Sequence, residues 1–173
     1  MFLISETKID DSFPTEQFLI PTFSEPHRLD RNENGGGLLL YVKEDIPSKV
    51  VKKETSYEGM FIEIIINKQK WLIVCSYNPH LNSIDDHLRK KELSIDLLSN
   101  KYQNLLILGD LNCEINKSSM PTFCESLDLK ILINSPTCFK NPENPKCIDH
   151  MLTNRSNQFQ NCLLYTSPSP RDS

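Results

Sequence analysis

The sequence lacks the features that mark several common functional classes. No apolar run reaches the length of about 20 residues that a membrane-spanning helix needs, and the apolar residues 1–4 meet polar residues too soon for a signal peptide. The six cysteines include no Cys-x-x-Cys pair, which argues against a zinc site. We therefore expect an intracellular protein that is not secreted, does not enter a membrane and keeps most of its cysteines as reduced thiols.

An excess of positive charge is also absent. The chain has 19 Lys and Arg residues against 23 Asp and Glu residues, a net charge of -4, which argues against a generic polyanion-binding protein. An enzyme that acts on DNA is not excluded, because a bound metal ion can offset an acidic site locally. The glycine cluster Gly35-Gly36-Gly37 is not followed by Gly-Lys-Ser/Thr, so it indicates a tight chain reversal rather than a P-loop.

What is present is the composition of one globular domain. A length of 173 residues with 38% hydrophobic residues suits a single core. We expect residues 1–160 to form this domain. Residues 161–173 end in a Ser- and Pro-rich stretch that resembles the translation of a sequencing-library adapter, and we expect no fold there.

Short apolar segments alternate with two helical patterns. We expect residues 7–34 to be mostly loop and the run Arg89-Lys90-Lys91 to lie on a solvated helix face. The predicted strands cover 1–5, 38–42, 59–66, 70–77, 105–112, 129–133 and 147–153, and the predicted helices cover 83–102 and 119–127. This order predicts an α/β or α+β fold with a mixed sheet.

The apolar strand expected at residues 105–112 ends in a carboxylate and an amide. Side chains alternate along a strand, so we expect Asp110 and Asn112 to point to the same side, together with Leu106 and Leu108. This strand is the centre of the candidate site.

Other polar residues also lie at or near apolar strands, namely Glu6, Tyr77 and Asp149. Carboxylates without an evident basic partner favour a hard divalent cation such as Mg²⁺. Each residue alone fits a cap or a turn equally well, and a tyrosine at a strand end often has its hydroxyl in water.

The densest basic segment of the first half is His27-Arg28-Leu29-Asp30-Arg31. It fits a solvated loop with an Arg-Asp pair, and it also fits a contact with a phosphate backbone. We favour the ion pair and keep Arg28 and Arg31 as candidate substrate-binding residues.

Five motifs together resemble the endonuclease/exonuclease/phosphatase superfamily, and most closely the endonuclease domain of LINE-type (non-LTR) retrotransposon polyproteins. They occur in the family's order and approximate spacing, and the resemblance covers about residues 2–160. The motifs are Ser5-Glu6-Thr7, Gly35-Gly36-Gly37, Tyr77-Asn78-Pro79, Gly109-Asp110-Leu111-Asn112 and Ile148-Asp149.

The resemblance implies a four-layer sandwich of two mixed β-sheets flanked by helices, incomplete here, and nicking of DNA with Mg²⁺, or Mn²⁺ in its place. Glu6 would hold the metal, Asp110 would orient or deprotonate the attacking water, Asn112 would bind the scissile phosphate, and Tyr77 would hydrogen-bond the charge that develops on it. Asp149 would orient a histidine. Asn78, Arg28 and Arg31 complete the candidate substrate-binding set.

Two expected segments are not found in the chain, an initial strand with a metal-site Asn and a final Ser-Asp-His segment. His150 adjoins Asp149 but faces the opposite way on a strand, and His80 is a second substitute. We therefore expect weak or no activity. Two alternatives are a phosphoinositide or other small-molecule phosphoesterase of the same superfamily and an inert or binding-only fragment. We expect a monomer with DNA as its partner, nuclear if it is part of a retrotransposon polyprotein.

Overall fold

Alternating strands and helices form two sheets and a helical layer in the computed structural model, which describes residues 1–79, 83–117 and 119–159. The strands are β1 (Phe2–Ser5), β2 (His27–Leu29), β3 (Leu38–Tyr41), β4 (Ser48–Glu54), β5 (Gly59–Ile66), β6 (Gln69–Tyr77), β7 (Asn104–Asp110), β8 (Lys130–Ile131) and β9 (Asp149–Thr153). The helices are α1 (Ile84–Ser99) and α2 (Met120–Ser126), with 3-10 helices at Thr15–Phe18 and Ser156–Gln158.

The larger sheet has six strands in the order β4-β5-β6-β7-β9-β8. The pair β6 and β7 is parallel and the other pairs are antiparallel, as α1 connects β6 to β7. The predicted hairpin is confirmed: β5 and β6 pair in register across a turn in which Asn67 and Lys68 have positive φ angles of 50° and 64°. Strand β7 is central and covered on both faces, as its apolar run predicts.

The smaller sheet has three strands in the order β1-β3-β2, and both of its pairs are antiparallel. One face packs on the larger sheet through an apolar cluster to which Leu38, Leu40, Ile62, Ile73 and Leu106 contribute. Within the described residues, therefore, the larger sheet is mixed and the smaller one is antiparallel.

The apolar clusters show which elements cover the outer face of each sheet. Helices α1 and α2 cover the outer face of the larger sheet, where Leu88 and Phe123 pack against Leu72 and Val74. The outer face of the smaller sheet is covered by the loop around the Thr15–Phe18 turn, which takes the place of an outer helical layer. The α/β class with two sheets is confirmed, and the helices flank the larger sheet.

Helix α1 begins as the sequence predicts, because the Ser83 side chain accepts a hydrogen bond from the Asp86 N–H at 3.5 Å. The prediction of a solvated Arg89-Lys90-Lys91 face is wrong at its last position. Lys91 has no exposed surface, its Nζ has no hydrogen-bond partner among the described residues, and burial lowers its pKa to about 7.

Two strands are missing from the sequence prediction, and a third is shorter than expected. Strand β2 lies within the loop expected at residues 7–34, and β4 carries three lysines on the edge of the larger sheet. The strand expected at 129–133 is reduced to Lys130–Ile131. No helix in the described part of the chain is long and apolar enough to cross a membrane.

Candidate functional site

Three predicted site residues form one row across the larger sheet. Tyr77 of β6 is directly opposite Asp110 of β7, and Asp110 is directly opposite Asp149 of β9. The row stands at the end of the sheet where β6 and β7, which run parallel, both finish. Like Leu106 and Leu108, Asp110 lies on the side that faces the smaller sheet, as strand alternation predicts.

The smaller sheet contributes Glu6, which directly follows β1 and is solvent-exposed. The Tyr77 hydroxyl donates a hydrogen bond to Glu6 Oε1. The phenol is therefore bonded to the candidate metal acid rather than to water. The face-to-face packing of the two sheets brings these residues together.

Asn112 lies beyond the end of β7, so the expectation that strand alternation places it beside Asp110 is wrong. It has a positive φ of 49°, and its backbone N–H donates to Asp110 Oδ1 at 2.8 Å. Its side-chain amide donates to the Asn78 carbonyl at 2.8 Å. A tight turn, not the strand, holds Asn112 next to the Asp110 carboxylate through its backbone N–H.

Asn78 fastens this turn to the end of β6. Its backbone N–H donates to the Asp110 carbonyl at 2.9 Å and its Nδ2 donates to the Leu111 carbonyl at 3.2 Å. The residue is 2% exposed, and its Oδ1 is buried without a partner among the described residues. This burial places Asn78 beneath the site.

The close approach of two strands explains why the motif Gly-Asp-x-Asn begins with a glycine, Gly109. Ser76, Gly109 and His150 form the neighbouring row across β6, β7 and β9, one position back from the Tyr77 row. Gly109 has a φ of 144°, and a Cβ there would overlap the Ser76 carbonyl group. Only glycine allows β6 and β7 to approach so closely next to Asp110.

The environment of Asp110 favours its protonated form. Burial raises its pKa to about 7, and the charges of Asp149 and Glu6 add to the increase, against the hydrogen bond from the Asn112 N–H and the charge of Lys140. A carboxyl with a pKa near neutral pH suits a group that exchanges protons with water.

The donor set fits a hard divalent cation. Glu6, Asp110, Asp149 and Asn112 offer carboxylate and amide oxygens, and no salt bridge within 4 Å neutralises the three acids in residues 1–79, 83–117 and 119–159. Over the same residues, no three His, Cys, Asp or Glu side chains form a ready-made metal cage. Mg²⁺ often takes only one or two carboxylates and completes its shell with water and substrate oxygens.

The two arginines differ in what holds them. Arg28 lies in β2, and its guanidinium bonds to Asp30, to Thr15 Oγ1 and to the carbonyls of Asp10 and Phe13. This arrangement favours the ion-pair interpretation of Arg28. Arg31 has a side chain that is 45% exposed and donates to Glu58 Oε1 at 2.6 Å, at the edge of a cavity of about 190 Å³ that Pro79 also lines.

His150 stands apart from the row of Tyr77, Asp110 and Asp149. His150 is 3% exposed and lies on the helix-facing side, where its Nε2 is 2.6 Å from the Cys113 carbonyl, so it faces away from Asp149 as predicted. Asp149 is fixed from its backbone, because its N–H donates to Thr137 Oγ1 at 3.1 Å. His80 and the predicted tail 161–173 lie outside the described residues.

Glu58 is a site neighbour that the sequence analysis missed. Its carboxylate is buried and accepts from Arg31 and from the Gly37 N–H. In the sequence Glu58 is a single acidic residue before a strand, and it resembles an ordinary turn residue. The pairing with Arg31 spans 27 positions and carries no local signal.

Comparison with known proteins identifies the family and agrees with the fold. A profile of the Endonuclease/Exonuclease/phosphatase family matches residues 2–168. No curated protein sequence matches the chain.

Solved structures similar to this chain include the catalytic domain of human Nocturnin with bound sulfate (11% identity, TM-score 0.62, 88% of this chain and 68% of that one). The Neisseria 3′ phosphatase NExo bound to a product DNA hairpin is also similar (11% identity, TM-score 0.59, 87% and 74%). At these identities the likeness concerns the fold.

The endonuclease domain of TRAS1, a telomere-specific non-LTR retrotransposon, matches with 14% identity and a TM-score of 0.49 over 68% of this chain. This chain spans 59% of the length of that domain, and the TM-score is too low to support an argument. The family match covers nearly the whole chain and agrees with the two-sheet fold. The chain belongs to the endonuclease/exonuclease/phosphatase family.

Proposed function

We propose that the chain hydrolyses a phosphodiester bond of DNA with the help of a divalent metal ion, as the endonuclease domain of a non-LTR retrotransposon does. The observation that supports this most is the meeting of Glu6, Tyr77 and Asp110 at one sheet end. A bound Mg²⁺ would polarise a phosphate oxygen and offset the negative charge of the site.

The roles follow from the position of each group. Glu6 is exposed and would hold the metal, while the Tyr77 hydroxyl orients the Glu6 carboxylate. Once the metal occupies that carboxylate, the Tyr77 hydroxyl would turn and donate to the phosphate instead. Asp110 would orient the attacking water and accept its proton, because its pKa of about 7 allows both protonation states near neutral pH.

The neighbouring groups would bind and orient the phosphate. The Asn112 side-chain amide is already directed by the Asn78 carbonyl, and the Asn112 backbone N–H is bonded to Asp110. The half-exposed Arg31 guanidinium, at the edge of the adjoining cavity, would contact a phosphate next to the scissile one. The Arg28 guanidinium is engaged within the protein, so its contribution would be to hold the loop that precedes β2.

The net charge of -4 supports a second substrate class within the same family, a small phosphoester that does not need a basic surface. The two classes predict different substrate competition. A phosphoinositide or sugar phosphate would be hydrolysed preferentially in the second case.

The test is nicking of supercoiled plasmid by the full chain with Mg²⁺, with Mn²⁺ and with a chelator. We expect slow formation of nicked circles, which requires the metal and is suppressed by unlabelled duplex DNA but not by a small phosphoester. Suppression by the small phosphoester alone would favour the second class. A plasmid left supercoiled under every metal condition would contradict the proposal and favour a binding-only chain.

A further inference from the structure

Glu58 lies directly before β5 and is 7% exposed. Both of its carboxylate oxygens are engaged. Oε1 accepts from the Arg31 guanidinium at 2.6 Å, and Oε2 accepts from the Gly37 backbone N–H at 2.7 Å. Charge-assisted hydrogen bonds of this length are strong and directional, so the carboxylate fixes the position of the glycine turn.

This glycine turn, formed by Gly35-Gly36-Gly37, also holds the segment that follows Glu6. Gly36 and Gly37 have φ angles of 76° and 93°, and a Cβ on Gly36 would lie 2.5 Å from Glu58 Oε1. The Gly36 carbonyl accepts from the Lys8 N–H at 2.9 Å, and the Gly37 carbonyl accepts from the Thr7 N–H at 3.4 Å. Glu58 is thus two hydrogen bonds away from the backbone next to the candidate metal acid.

This segment needs support from outside. Glu6 and Lys8 both have a φ of 55°, a left-handed conformation that residues other than glycine adopt at a cost. Such conformations persist where the surrounding structure determines them. The hydrogen bonds to Gly36 and Gly37 provide that support on one side.

Glu58 also anchors the partner of Glu6. Its backbone carbonyl accepts from the Tyr77 N–H at 3.0 Å and from the Ser76 hydroxyl at 3.4 Å. One residue therefore fixes the end of β6 through its backbone and the Glu6 segment through its side chain. The hydrogen bond from Tyr77 to Glu6 joins these two elements.

We propose that Glu58 is a positioning residue, which sets the place of the Glu6 carboxylate relative to Tyr77 through the glycine turn. Because Arg31 and Gly37 engage both oxygens of its carboxylate, Glu58 would act through these neighbours and not on substrate or metal directly. Its consequence for metal binding rests on the proposed function, whereas its effect on the Glu6 segment does not.

The experiment compares three variants of the full chain. Glu58→Ala removes the carboxylate, and Glu58→Gln keeps an oxygen that can accept from the Gly37 N–H. Glu63→Ala is the matched control, because Glu63 is also 7% exposed and bonded to Tyr102 and Lys49, but has no contact with the glycine turn. Amide hydrogen exchange without metal and direct Mn²⁺ binding by calorimetry are measured on each variant.

We expect Glu58→Ala to speed amide exchange at Thr7 and Lys8 while exchange in the centre of β6 stays as in the parent. Mn²⁺ affinity should fall by about 10-fold to 100-fold, the usual effect of losing a group that orients a metal ligand. Glu58→Gln should give a smaller change in both measurements. Glu63→Ala should leave both unchanged even where it lowers the unfolding temperature.

Unchanged exchange at Thr7 and Lys8 in Glu58→Ala, or the same change in Glu63→Ala, would overturn the proposal. If Glu58→Ala does not fold, Glu58→Gln decides, since it must then alter exchange at Thr7 and Lys8 without altering the centre of β6. A parent chain that binds no Mn²⁺ would contradict the proposed function instead, and the metal-free exchange rates would still decide the role of Glu58.

Discussion

Tyr77 lies in the larger sheet and Glu6, 71 positions away, directly follows a strand of the smaller sheet, yet the Tyr77 hydroxyl donates a hydrogen bond to the Glu6 carboxylate. The contact links the two sheets at the end where β6 and β7 finish. Any change that alters how the sheets pack should therefore alter the site.

The first prediction concerns this hydrogen bond. Tyr77→Phe removes a hydroxyl that orients Glu6 and that would donate to the phosphate once the metal occupies Glu6. We therefore expect nicking to fall by about 10²-fold to 10³-fold, as for the loss of one donor to a developing oxyanion. Tyr41→Phe is the control, because the Tyr41 hydroxyl is also bonded, to the Phe18 carbonyl at 2.8 Å, and lies in the outer cluster. Equal nicking by the two variants would contradict the role of Tyr77.

The second prediction concerns the buried amine of Lys91. Its pKa is about 7 in the folded protein against 10.5 in the unfolded chain, so the unfolded chain binds more protons between these pH values. The free energy of unfolding of the parent should therefore rise by about 2 to 3 kcal/mol between pH 7 and pH 9 relative to Lys91→Met. Urea denaturation of both proteins at the two pH values measures the difference. Parallel changes with pH in the two proteins would show that Lys91 does not titrate in this way.

The third prediction concerns the stability cost of Asp110. Its pKa is about 7 when folded and 3.8 when unfolded, so the folded chain binds more protons in this window and its stability falls as pH rises through it. Without metal, Asp110→Asn should be more stable than the parent by about 1 to 2 kcal/mol at pH 8, a figure reduced for partial solvent exposure. The advantage should shrink towards pH 4. A variant that is less stable than the parent at pH 8 would show that the carboxylate is well accommodated.

The fourth prediction concerns Gly109. Gly109→Ala forces a Cβ into the Ser76 carbonyl group, so we expect a loss of about 3 kcal/mol or more in the free energy of unfolding. Gly35→Ala is the control, since nothing lies within 4 Å of a Cβ there and the cost should be about 1 kcal/mol from its φ alone. Similar losses in both variants would mean that the approach of β6 and β7 relaxes easily.

The parts of the fold that follow local patterns could be predicted from the sequence. The hairpin of β5 and β6, helix α1 and strand β7 each have a periodicity and end signals within a few residues. Strand β4 could not be predicted, because it is an edge strand whose lysines resemble those of a solvated loop. Only its pairing with β5 identifies it as a strand. Lys91 was misplaced because a run of charges says nothing about which one the sheet covers.

For the site, residue types could be predicted better than their geometry. Strand register brings Tyr77, Asp110 and Asp149 together, and the sequence indicated each of them as a polar group at a strand. Asn112 depends on a turn with a positive φ, which no alternation rule describes. Glu58 depends on contacts with Arg31 and Gly37 that only the folded chain creates.

The central claim is that Asp110 performs the chemistry of a metal-assisted phosphodiester hydrolysis. The most direct measurement is the initial rate of plasmid nicking with Mg²⁺ by the parent, by Asp110→Asn and by Asp96→Asn, the last a change at an exposed acid of α1. We predict that Asp110→Asn lowers the rate by about 10²-fold to 10⁴-fold and that Asp96→Asn matches the parent. Nicking by Asp110→Asn at the parental rate would contradict the account.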